Sequence, residues 1–300
     1  MTAPVQVAVP SGDMLGECAT WSVREQALYW VDVRATSLHR FDPLNGARGT
    51  WRLPELCGGI ALATDGIMLA LRSELARFDP ASGNLTRWCQ IEPDSAGNRL
   101  NEMRCDAAGR LWVGSMRDFG VATSGSLYCV SATGQVAAVL GGVTIPNSLG
   151  FSPDGRIMYF ADTAEGAIRA YASHPDSPEL VGKQVLLSIE ALPGRPDGCA
   201  VDREGHVWTT RVGAGLVARV SPDGSVVQHV PLPTSQPTSC ALGGRDLRTL
   251  FITTARQKLD AATLRAEPEA GHLLAVRVEV PGTPEPEFAA GLTVHGRAAA

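Results

Sequence analysis

The sequence lacks the motifs by which cysteine and serine sites are commonly recognised. It has no Cys-x-x-Cys pair, and its seven cysteines are irregularly spaced, so neither a zinc ribbon nor a disulfide framework is predicted. A Gly-x-Ser-x-Gly nucleophile elbow is also missing, which argues against a serine hydrolase of the α/β type. We interpret most of the cysteines as buried free thiols. They are Cys18, Cys57, Cys89, Cys105, Cys129, Cys199 and Cys240.

Signals for export, membranes and nucleic acids are missing as well. The N-terminal segment MTAPVQVAVPSGD has neither the basic region nor the apolar core of a signal peptide. No apolar run approaches the roughly 18 residues of a membrane span. The net charge is −5 and no basic stripe is present, which argues against a nucleic-acid partner. We therefore expect a soluble, cytoplasmic protein that binds neither nucleic acid nor membrane.

No linker divides the chain. Its 300 residues contain no Pro/Gly/Ser-rich stretch and no run of like charge at which two domains would separate. We therefore predict a single domain over residues 1–300. The 32 glycines exceed the average content, which favours many turns between short strands.

Short apolar strands do recur along the chain. Their mean spacing is about 44 residues, and they lie at 27–33, 67–72, 111–116, 157–162, 206–211 and 249–254. Most follow a tight turn containing Asp and Gly, such as ATDG or SPDG, as in β-hairpins. This repeat predicts an all-β fold, a six-bladed β-propeller of four-stranded antiparallel blades. A β-sandwich is the alternative, and a helical solenoid is excluded because no 3.6-residue periodicity runs through the repeats.

The repeat also predicts the limits of the blades. They fall at 15–54, 57–92, 100–140, 146–187, 196–232 and 238–290. A further strand at 6–10 precedes the first blade. We expect it to pair with the last blade and close the ring, because an open sheet edge invites aggregation.

Polar residues recur where the innermost strand of each blade is predicted to begin. Innermost strands start at one mouth of the central channel, so their first side chains should converge there. Counting back about 12 residues from each strand centre reaches Glu17, Asn101, Asn147 and Asp197 in four blades. The other two blades give Cys57 or Gly58 and Thr238 or Ser239. The alternative interpretation is that these residues cap strands.

Two carboxylates brought together in a channel repel each other unless a cation binds between them. With an amide carbonyl they form a hard oxygen site suited to Ca²⁺, Mg²⁺ or Mn²⁺, with Fe²⁺ and Zn²⁺ as further candidates. Three protein ligands leave positions for water or substrate, as in catalytic metal sites. Arg99 stands two residues before Asn101 and shares its face by strand alternation, so this pair would suit a polyhydroxylated or anionic ligand. A surface arginine is the alternative.

Five segments that carry these residues resemble the SMP-30/gluconolactonase/regucalcin family, and within it the bacterial sugar-acid lactonases. They follow one another in the order and at the spacing of the family, over about residues 15 to 280. The segments are LGECATWSVREQALYWVD, NRLNEMRCDAAGRLWVGSM, IPNSLGFSPDGRIMYFADT, RPDGCAVDREGHVWTTRVGAG and LRTLFITTAR.

The resemblance implies a six-bladed propeller with one divalent metal ion on Glu17, Asn147 and Asp197. Calcium is the first choice, and Zn²⁺, Mn²⁺, Mg²⁺ or Fe²⁺ are alternatives. It implies substrate contacts from Arg99 and Asn101, and the role of general base for Asp197. The implied reaction opens the lactone of an aldonic acid, such as a gluconolactone or a pentonolactone, to the free acid. We expect a small-molecule sugar lactone as the partner, and a monomer or a weak homodimer.

The sequence departs from the family pattern beside these residues. Cys18-Ala19 stands where the family often has Gly-Pro, and Ser148 stands where it usually has Gly. The third blade has Asn101-Glu102-Met103-Arg104 where the family often has Asn-Asp. Glu102 is therefore a third candidate for substrate contact, in place of the family's acidic residue; the alternative is that strand alternation points it away from the channel. None of the departures removes a predicted metal ligand, but the second and third change the pocket wall.

Other functions stay open at this point. They are a non-catalytic, metal-binding regulatory propeller, a metal-dependent esterase or phosphotriesterase, and a scaffold for protein partners. A nucleophilic Cys18 or Cys199 is a further alternative, since each follows a predicted metal ligand closely.

Overall fold

The computed structural model describes residues 4–289. In this part of the chain, 24 strands form six four-stranded antiparallel sheets, with one short helix and one 3₁₀ turn between strands. The sheets are arranged as a six-bladed β-propeller, which confirms the predicted fold class. The single-domain prediction stays a prediction, and residues 1–3 and 290–300 lie outside the described residues.

The first strand of the chain belongs to the last blade. The first three complete blades follow it in chain order. The strand before them is β1 (Gln6–Val9). Blade 1 contains β2 (Gly16–Ser22), β3 (Ala27–Asp32), β4 (Ser37–Phe41) and β5 (Arg48–Arg52). Blade 2 contains β6 (Cys57–Ala63), β7 (Gly66–Leu71), β8 (Glu74–Phe78) and β9 (Leu85–Gln90). Blade 3 contains β10 (Asn98–Cys105), β11 (Leu111–Arg117), β12 (Gly125–Val130) and β13 (Val136–Val143).

The second half of the ring repeats the pattern, with one variation in its last blade. Blade 4 contains β14 (Pro146–Phe151), β15 (Ile157–Asp162), β16 (Ile168–His174) and β17 (Ser177–Leu187). Blade 5 contains β18 (Arg195–Val201), β19 (Val207–Val212), β20 (Leu216–Val220) and β21 (Val226–Pro231). Blade 6 contains β22 (Pro237–Gly243), β23 (Thr249–Thr254), β24 (Leu273–Arg277) and β1, with helix α1 (Ala261–Ala266) inserted before β24.

Strand β1 closes the ring as predicted. It pairs antiparallel with β24, with Gln6 opposite Ala275 and Val7 opposite Leu274. The N-terminal segment thus supplies the outermost strand of a blade whose other strands come from the far end of the chain. This pairing ties the first and last blades of the propeller together and covers the outer edge of β24.

The prediction for the sixth blade was wrong at its end. Its third strand ends at Arg277, and the chain then leaves the blade. The segment that follows bridges other blades, through Gly282 to Asp202 of blade 5 and through Phe288 to Ala63 of blade 2. Prolines at 281, 284 and 286 explain the difference, since proline cannot donate to a strand ladder. The predicted limit at residue 290 lies outside the described residues.

Each innermost strand carries a break in register near its start. The shifts lie between Glu17 and Thr20, Cys57 and Gly59, Leu100 and Met103, Asn147 and Gly150, Pro196 and Cys199, and Pro237 and Ser239. A β-bulge bends the strand locally and turns a side chain in a new direction. The same device therefore acts at all six of the positions that the repeat picked out.

The core consists of apolar side chains packed between neighbouring blades. One cluster joins blades 1 and 2 through residues such as Val31 and Leu69, both without solvent exposure. Burial of such faces between layers is what stabilises a fold of this kind. Within residues 4–289, no helix is both long enough and apolar enough to cross a membrane.

Candidate metal centre and its cavity

A cavity of about 600 Å³ opens at one mouth of the central channel. Its size is within the usual range for small-molecule sites. Residues from the start of five innermost strands line it, as the repeat predicted: Glu17, Arg99, Asn101, Asn147, Asp197 and Thr238. The roles assigned to these residues stay predictions, and the structure adds their placement in one cavity.

The backbone explains why these side chains meet. Glu17 of β2 and Asn147 of β14 each immediately precede a residue with positive φ, Cys18 at 53° and Ser148 at 51°. In blade 2 the equivalent position is Gly58, where a Cβ atom would lie 2.2 Å from the carbonyl oxygen of Leu100 and 2.9 Å from Arg99 Nη1. The absence of a side chain at Gly58 therefore makes room for the Arg99 guanidinium.

A hydrogen-bond chain fixes the orientation of the Asn147 amide. Thr163 Oγ1 donates to the carbonyl oxygen of Pro196 at 2.8 Å, so it must accept the hydrogen bond from Asn147 Nδ2 at 2.9 Å. The Asn147 carbonyl oxygen therefore points the other way, where it accepts from Asn101 Nδ2 at 3.0 Å. Since a carbonyl oxygen has two lone pairs, one remains for a cation.

Asn101 and Arg99 form the next links of this chain. Asn101 Nδ2 also donates to the carbonyl oxygen of Pro146 at 2.9 Å, and its Oδ1 accepts from Arg99 Nη1 at 2.6 Å. Arg99 is 4% exposed, and its Nε donates to Asp118 Oδ1 at 3.1 Å. Both residues are held rigidly, as alignment of a ligand requires.

Without a cation, the environment of the cavity disfavours the ionised forms of Glu17 and Asp197. Burial, and then the nearby Glu102 carboxylate, raise the pKa of Glu17 to about 8. Burial, and then the Glu17 carboxylate, raise the pKa of Asp197 well above its usual range. The like charges and the low local polarity both disfavour ionisation, and a divalent cation would reverse both effects.

The residues present fit a divalent cation. Asp197 Oδ1 is buried and accepts no hydrogen bond from any described residue. A buried carboxylate oxygen without a partner is rare in stable proteins, and a cation would satisfy it. Within residues 4–289, no three His, Cys, Asp or Glu side chains are grouped so as to hold a metal ion. A cation here would therefore need a ligand of another type, and the Asn147 amide carbonyl, which lines the same cavity, is the predicted one.

Glu102 does not line the cavity. Its Oε2 accepts from the backbone amide of Leu149 at 2.9 Å, and the residue is 5% exposed. Burial raises the pKa of Glu102 to about 7. Its carboxylate ties blade 3 to blade 4 inside the channel, so this placement does not favour the predicted contact with substrate.

The thiols next to the candidate ligands are poorly suited to act as nucleophiles. Burial, and then the Glu102 carboxylate, raise the pKa of Cys18 to about 11 and that of Cys199 well above its usual range. A cysteine reacts as its thiolate, so both side chains are held in the unreactive form. Six of the seven cysteines are buried and none is disulfide-bonded, as the sequence predicted.

Sequence reasoning missed a second group of cavity residues. Thr163 follows β15, Arg34 and Asp118 follow β3 and β11, and Gln257 and Lys258 follow β23. In each blade the second strand runs antiparallel to the innermost one, so it ends at the mouth where its neighbour begins. The polar residues just beyond each predicted second strand were the signal that could have found them.

Comparisons with known proteins identify the family of the chain. The chain matches the model of the SMP-30/Gluconolactonase/LRE-like region over residues 15–256. A 6-deoxy-6-sulfogluconolactonase of Pseudomonas putida is 38% identical over 291 residues, which are 96% of this chain and 100% of the relative. An L-arabinolactonase of Azospirillum brasilense is 35% identical over 92% of each chain.

A solved structure has the same fold. The calcium-binding protein regucalcin of Agrobacterium tumefaciens superimposes with a TM-score of 0.91 at 30% sequence identity, over 95% of this chain and 97% of the other. The region matched by the family model, residues 15–256, spans the five segments that carry the cavity residues. The chain, whose bulged innermost strands present polar residues to the cavity, therefore belongs to the SMP-30/gluconolactonase family.

Proposed function

We propose that this protein hydrolyses the lactone ring of an aldonic acid to the free sugar acid, in a reaction that requires one divalent metal ion. The relatives reported above are named for a sulfogluconolactone and for L-arabinolactone. The observation that carries the proposal is the Asp197 carboxylate, which is buried and has one oxygen without a partner among the described residues, in a cavity of suitable size for a sugar lactone.

Glu17, Asn147 and Asp197 would hold the ion. Two carboxylate oxygens and an amide carbonyl oxygen suit Ca²⁺ first, and Zn²⁺, Mn²⁺, Mg²⁺ or Fe²⁺ as alternatives. When bound, the ion supplies Lewis-acid polarisation of the lactone carbonyl. Its charge also keeps Glu17 and Asp197 ionised at neutral pH, although burial raises the pKa of both.

The residues of the cavity perform the remaining steps. Arg99 and Asn101 orient the sugar hydroxyl groups, because both are fixed by hydrogen bonds on their far sides. The Asp197 carboxylate takes a proton from the attacking water as the new carbon–oxygen bond forms. The bond from the carbonyl carbon to the ring oxygen then breaks, and the ring oxygen leaves with a proton returned from Asp197.

A direct test compares wild-type protein with the Asp197→Asn variant. Acid release from glucono-1,5-lactone and from an arabinonolactone is followed in a pH-stat, after subtraction of spontaneous hydrolysis. We expect kcat to fall by at least the roughly 10²- to 10⁴-fold typical of a lost general base, because the variant also loses a proposed metal ligand. Asp176→Asn is the matched control, because Asp176 is 89% exposed at the surface. Wild-type rates in Asp197→Asn would contradict the proposed role.

Metal dependence is tested on the same assay. Chelated protein should lose activity and regain it when one metal is added back. Full activity of metal-free protein would contradict the mechanism. Tight metal binding without acid release from any lactone would instead identify a non-catalytic binding protein, the main alternative.

A further inference from the structure

One wall of the cavity carries more positive charge than its acidic side chains neutralise. Three guanidinium groups surround the single carboxylate of Asp118. Arg34 Nη1 lies 2.8 Å and Arg99 Nε 3.1 Å from Asp118 Oδ1, and Arg72 Nη2 lies 3.6 Å from Oδ2. One carboxylate offsets one positive charge, so the cluster keeps a surplus of two.

Several donors on this wall have no acceptor within residues 4–289. Gln257 Oε1 accepts from Arg34 Nε at 3.1 Å, which leaves the amide nitrogen of Gln257 free to donate. Arg34 Nη2 makes no hydrogen bond to a described residue, and neither does the Lys258 ammonium, which lines the same cavity. Lys258 is exposed and Arg34 and Gln257 are half-buried, so water solvates these three donors until a ligand displaces it. An oxyanion could accept hydrogen bonds from all three at once.

The Arg34 guanidinium is held in place by its neighbours. Its central carbon lies 4.7 Å from the centre of the Phe119 ring, so it stacks on an aromatic face. Together with the contacts to Asp118 and Gln257, this stacking fixes the direction of the guanidinium plane. The donor that remains is therefore preorganised, which lowers the entropy cost of binding an anion.

The charge balance of the whole cavity points in the same direction. The charged residues that line it are three acids and three bases: Glu17, Asp118, Asp197, Arg34, Arg99 and Lys258. Behind the lining, Arg72 adds one positive charge beside Asp118, and the Glu102 carboxylate adds one negative charge near Glu17 and Asp197. The divalent ion of the proposed function would add two more. A neutral lactone leaves this excess of positive charge unbalanced, whereas an anionic one offsets it.

We propose that the substrate is an aldonolactone that carries an oxyanion, namely a sulfonate, carboxylate or phosphate, away from the lactone carbonyl. The carbonyl lies at the Glu17–Asp197 end of the cavity, and the oxyanion binds at the Arg34–Lys258 end. This inference rests on the proposed lactonase function and adds the charge of the substrate to it.

The first experiment compares kcat/KM for four lactones on the metal-loaded protein. They are glucono-1,5-lactone, 6-deoxy-6-sulfogluconolactone, 6-phosphogluconolactone and a glucarolactone, so that the last three distinguish sulfonate, phosphate and carboxylate. We expect at least one anionic lactone to exceed the neutral one about 10- to 100-fold, as charge-assisted hydrogen bonds allow. The advantage should shrink as NaCl is raised, since salt screens the attraction.

The second experiment uses the two lysines of the chain as a matched pair. The ratio measured is kcat/KM for an anionic lactone divided by kcat/KM for glucono-1,5-lactone. Lys258→Gln should lower this ratio about tenfold, chiefly by raising KM for the anionic lactone. Lys183→Gln should leave the ratio unchanged, because Lys183 is exposed on β17, outside the cavity. Lys258→Arg should restore most of the ratio, since it keeps the charge.

The outcomes separate the two proposals. If glucono-1,5-lactone is hydrolysed and no anionic lactone is preferred, the lactonase function stands and the inference is overturned. An unchanged ratio in Lys258→Gln overturns the inference as well. If no lactone of any charge is hydrolysed in the presence of metal, both fail.

Discussion

Asp197 and Asp202 lie five residues apart at the two ends of β18, and both are buried, at 7% and 0% exposure. Asp202 accepts four hydrogen bonds. Its Oδ1 takes those of the Glu204 and His206 amides, and its Oδ2 takes Trp208 Nε1 at 3.0 Å and Arg219 Nε at 2.7 Å. Asp197 has one oxygen that accepts nothing from the described residues. The hydrogen bonds of the Asp202 carboxylate are therefore complete, whereas one oxygen of Asp197 has no partner among the described residues.

The difference separates a carboxylate that is satisfied within the fold from one that is available to a ligand. Asp106 of blade 3 repeats the Asp202 pattern, with bonds from the Ala108 and Arg110 amides and from Trp112 Nε1. A motif that recurs in two blades and satisfies itself locally belongs to the propeller as such. Asp197 occurs in one blade and lines the cavity, and no residue within 4–289 satisfies its free oxygen, which is why we propose a bound cation as its partner.

The largest expected effect contrasts these two aspartates. Asp202→Asn should lower the free energy of unfolding by about 3 kcal/mol, because it removes the buried one of the two carboxylates that pair with Arg219 and puts an amide where Trp208 and Arg219 need an acceptor. Asp197→Asn should leave the stability of the metal-free protein unchanged or raise it, since it removes a carboxylate whose ionisation burial disfavours.

Urea unfolding of both variants, followed by circular dichroism, measures this contrast. Asp202→Asn is expected to retain its metal affinity at low urea, whereas Asp197→Asn is expected to lose it. The distinction between the two carboxylates would fail if both variants unfolded at the same urea concentration.

Metal binding sharpens the comparison further. An ion that binds only the folded protein stabilises it by about 2.7 kcal/mol at 100 times its dissociation constant. We expect chelation to remove this stabilisation from the wild type and from Asp202→Asn, but to leave Asp197→Asn unaffected. Thermal unfolding with and without Ca²⁺ measures it, and equal stability of loaded and chelated wild-type protein would contradict the metal site.

Thr163 provides a smaller test of the third ligand. Thr163→Val keeps the shape of the side chain but removes the acceptor that orients the Asn147 amide. Metal affinity should fall about 10- to 100-fold, as for other residues that orient a ligand without touching the ion. Thr163→Ser should bind almost normally because it keeps the hydroxyl group. Calorimetric titration with Ca²⁺ measures both, and equal affinity of the valine and serine variants would refute the orienting role.

The sequence was enough to predict the features that repeat. The second strands were placed within one or two residues, since each depends on local apolar residues and a hairpin turn. The offset led to Glu17, Asn147 and Asp197, which do line one cavity, because one bulge recurs at the same point of every innermost strand; their roles stay predictions.

What does not repeat could not be predicted from the pattern. Lys258 lies in a connection of blade 6 that has no equivalent elsewhere, and Thr163 acts only through the contact it makes with a neighbouring blade. Glu102 was a candidate through its resemblance to an acidic residue of the family, although it follows the cavity residue Asn101 directly and strand alternation pointed it away from the channel; the structure places it outside the cavity lining. Contacts across blades depend on the closed ring, which one strand at a time does not describe.

The smallest effect is expected at Ser148, a departure from the family pattern that lies between two candidate ligands. Its φ of 51° costs a non-glycine residue about 1 kcal/mol, while its hydroxyl donates to the carbonyl oxygen of Asp197 at 2.5 Å. Ser148→Ala keeps the backbone cost and loses the bond, so it should lower the free energy of unfolding by about 1 kcal/mol. Ser148→Gly loses the bond but also the cost, so it should remain within about 0.5 kcal/mol of the wild type. Equal losses in both variants would show that the hydroxyl alone matters, and that the backbone at this bulge accepts serine as readily as glycine.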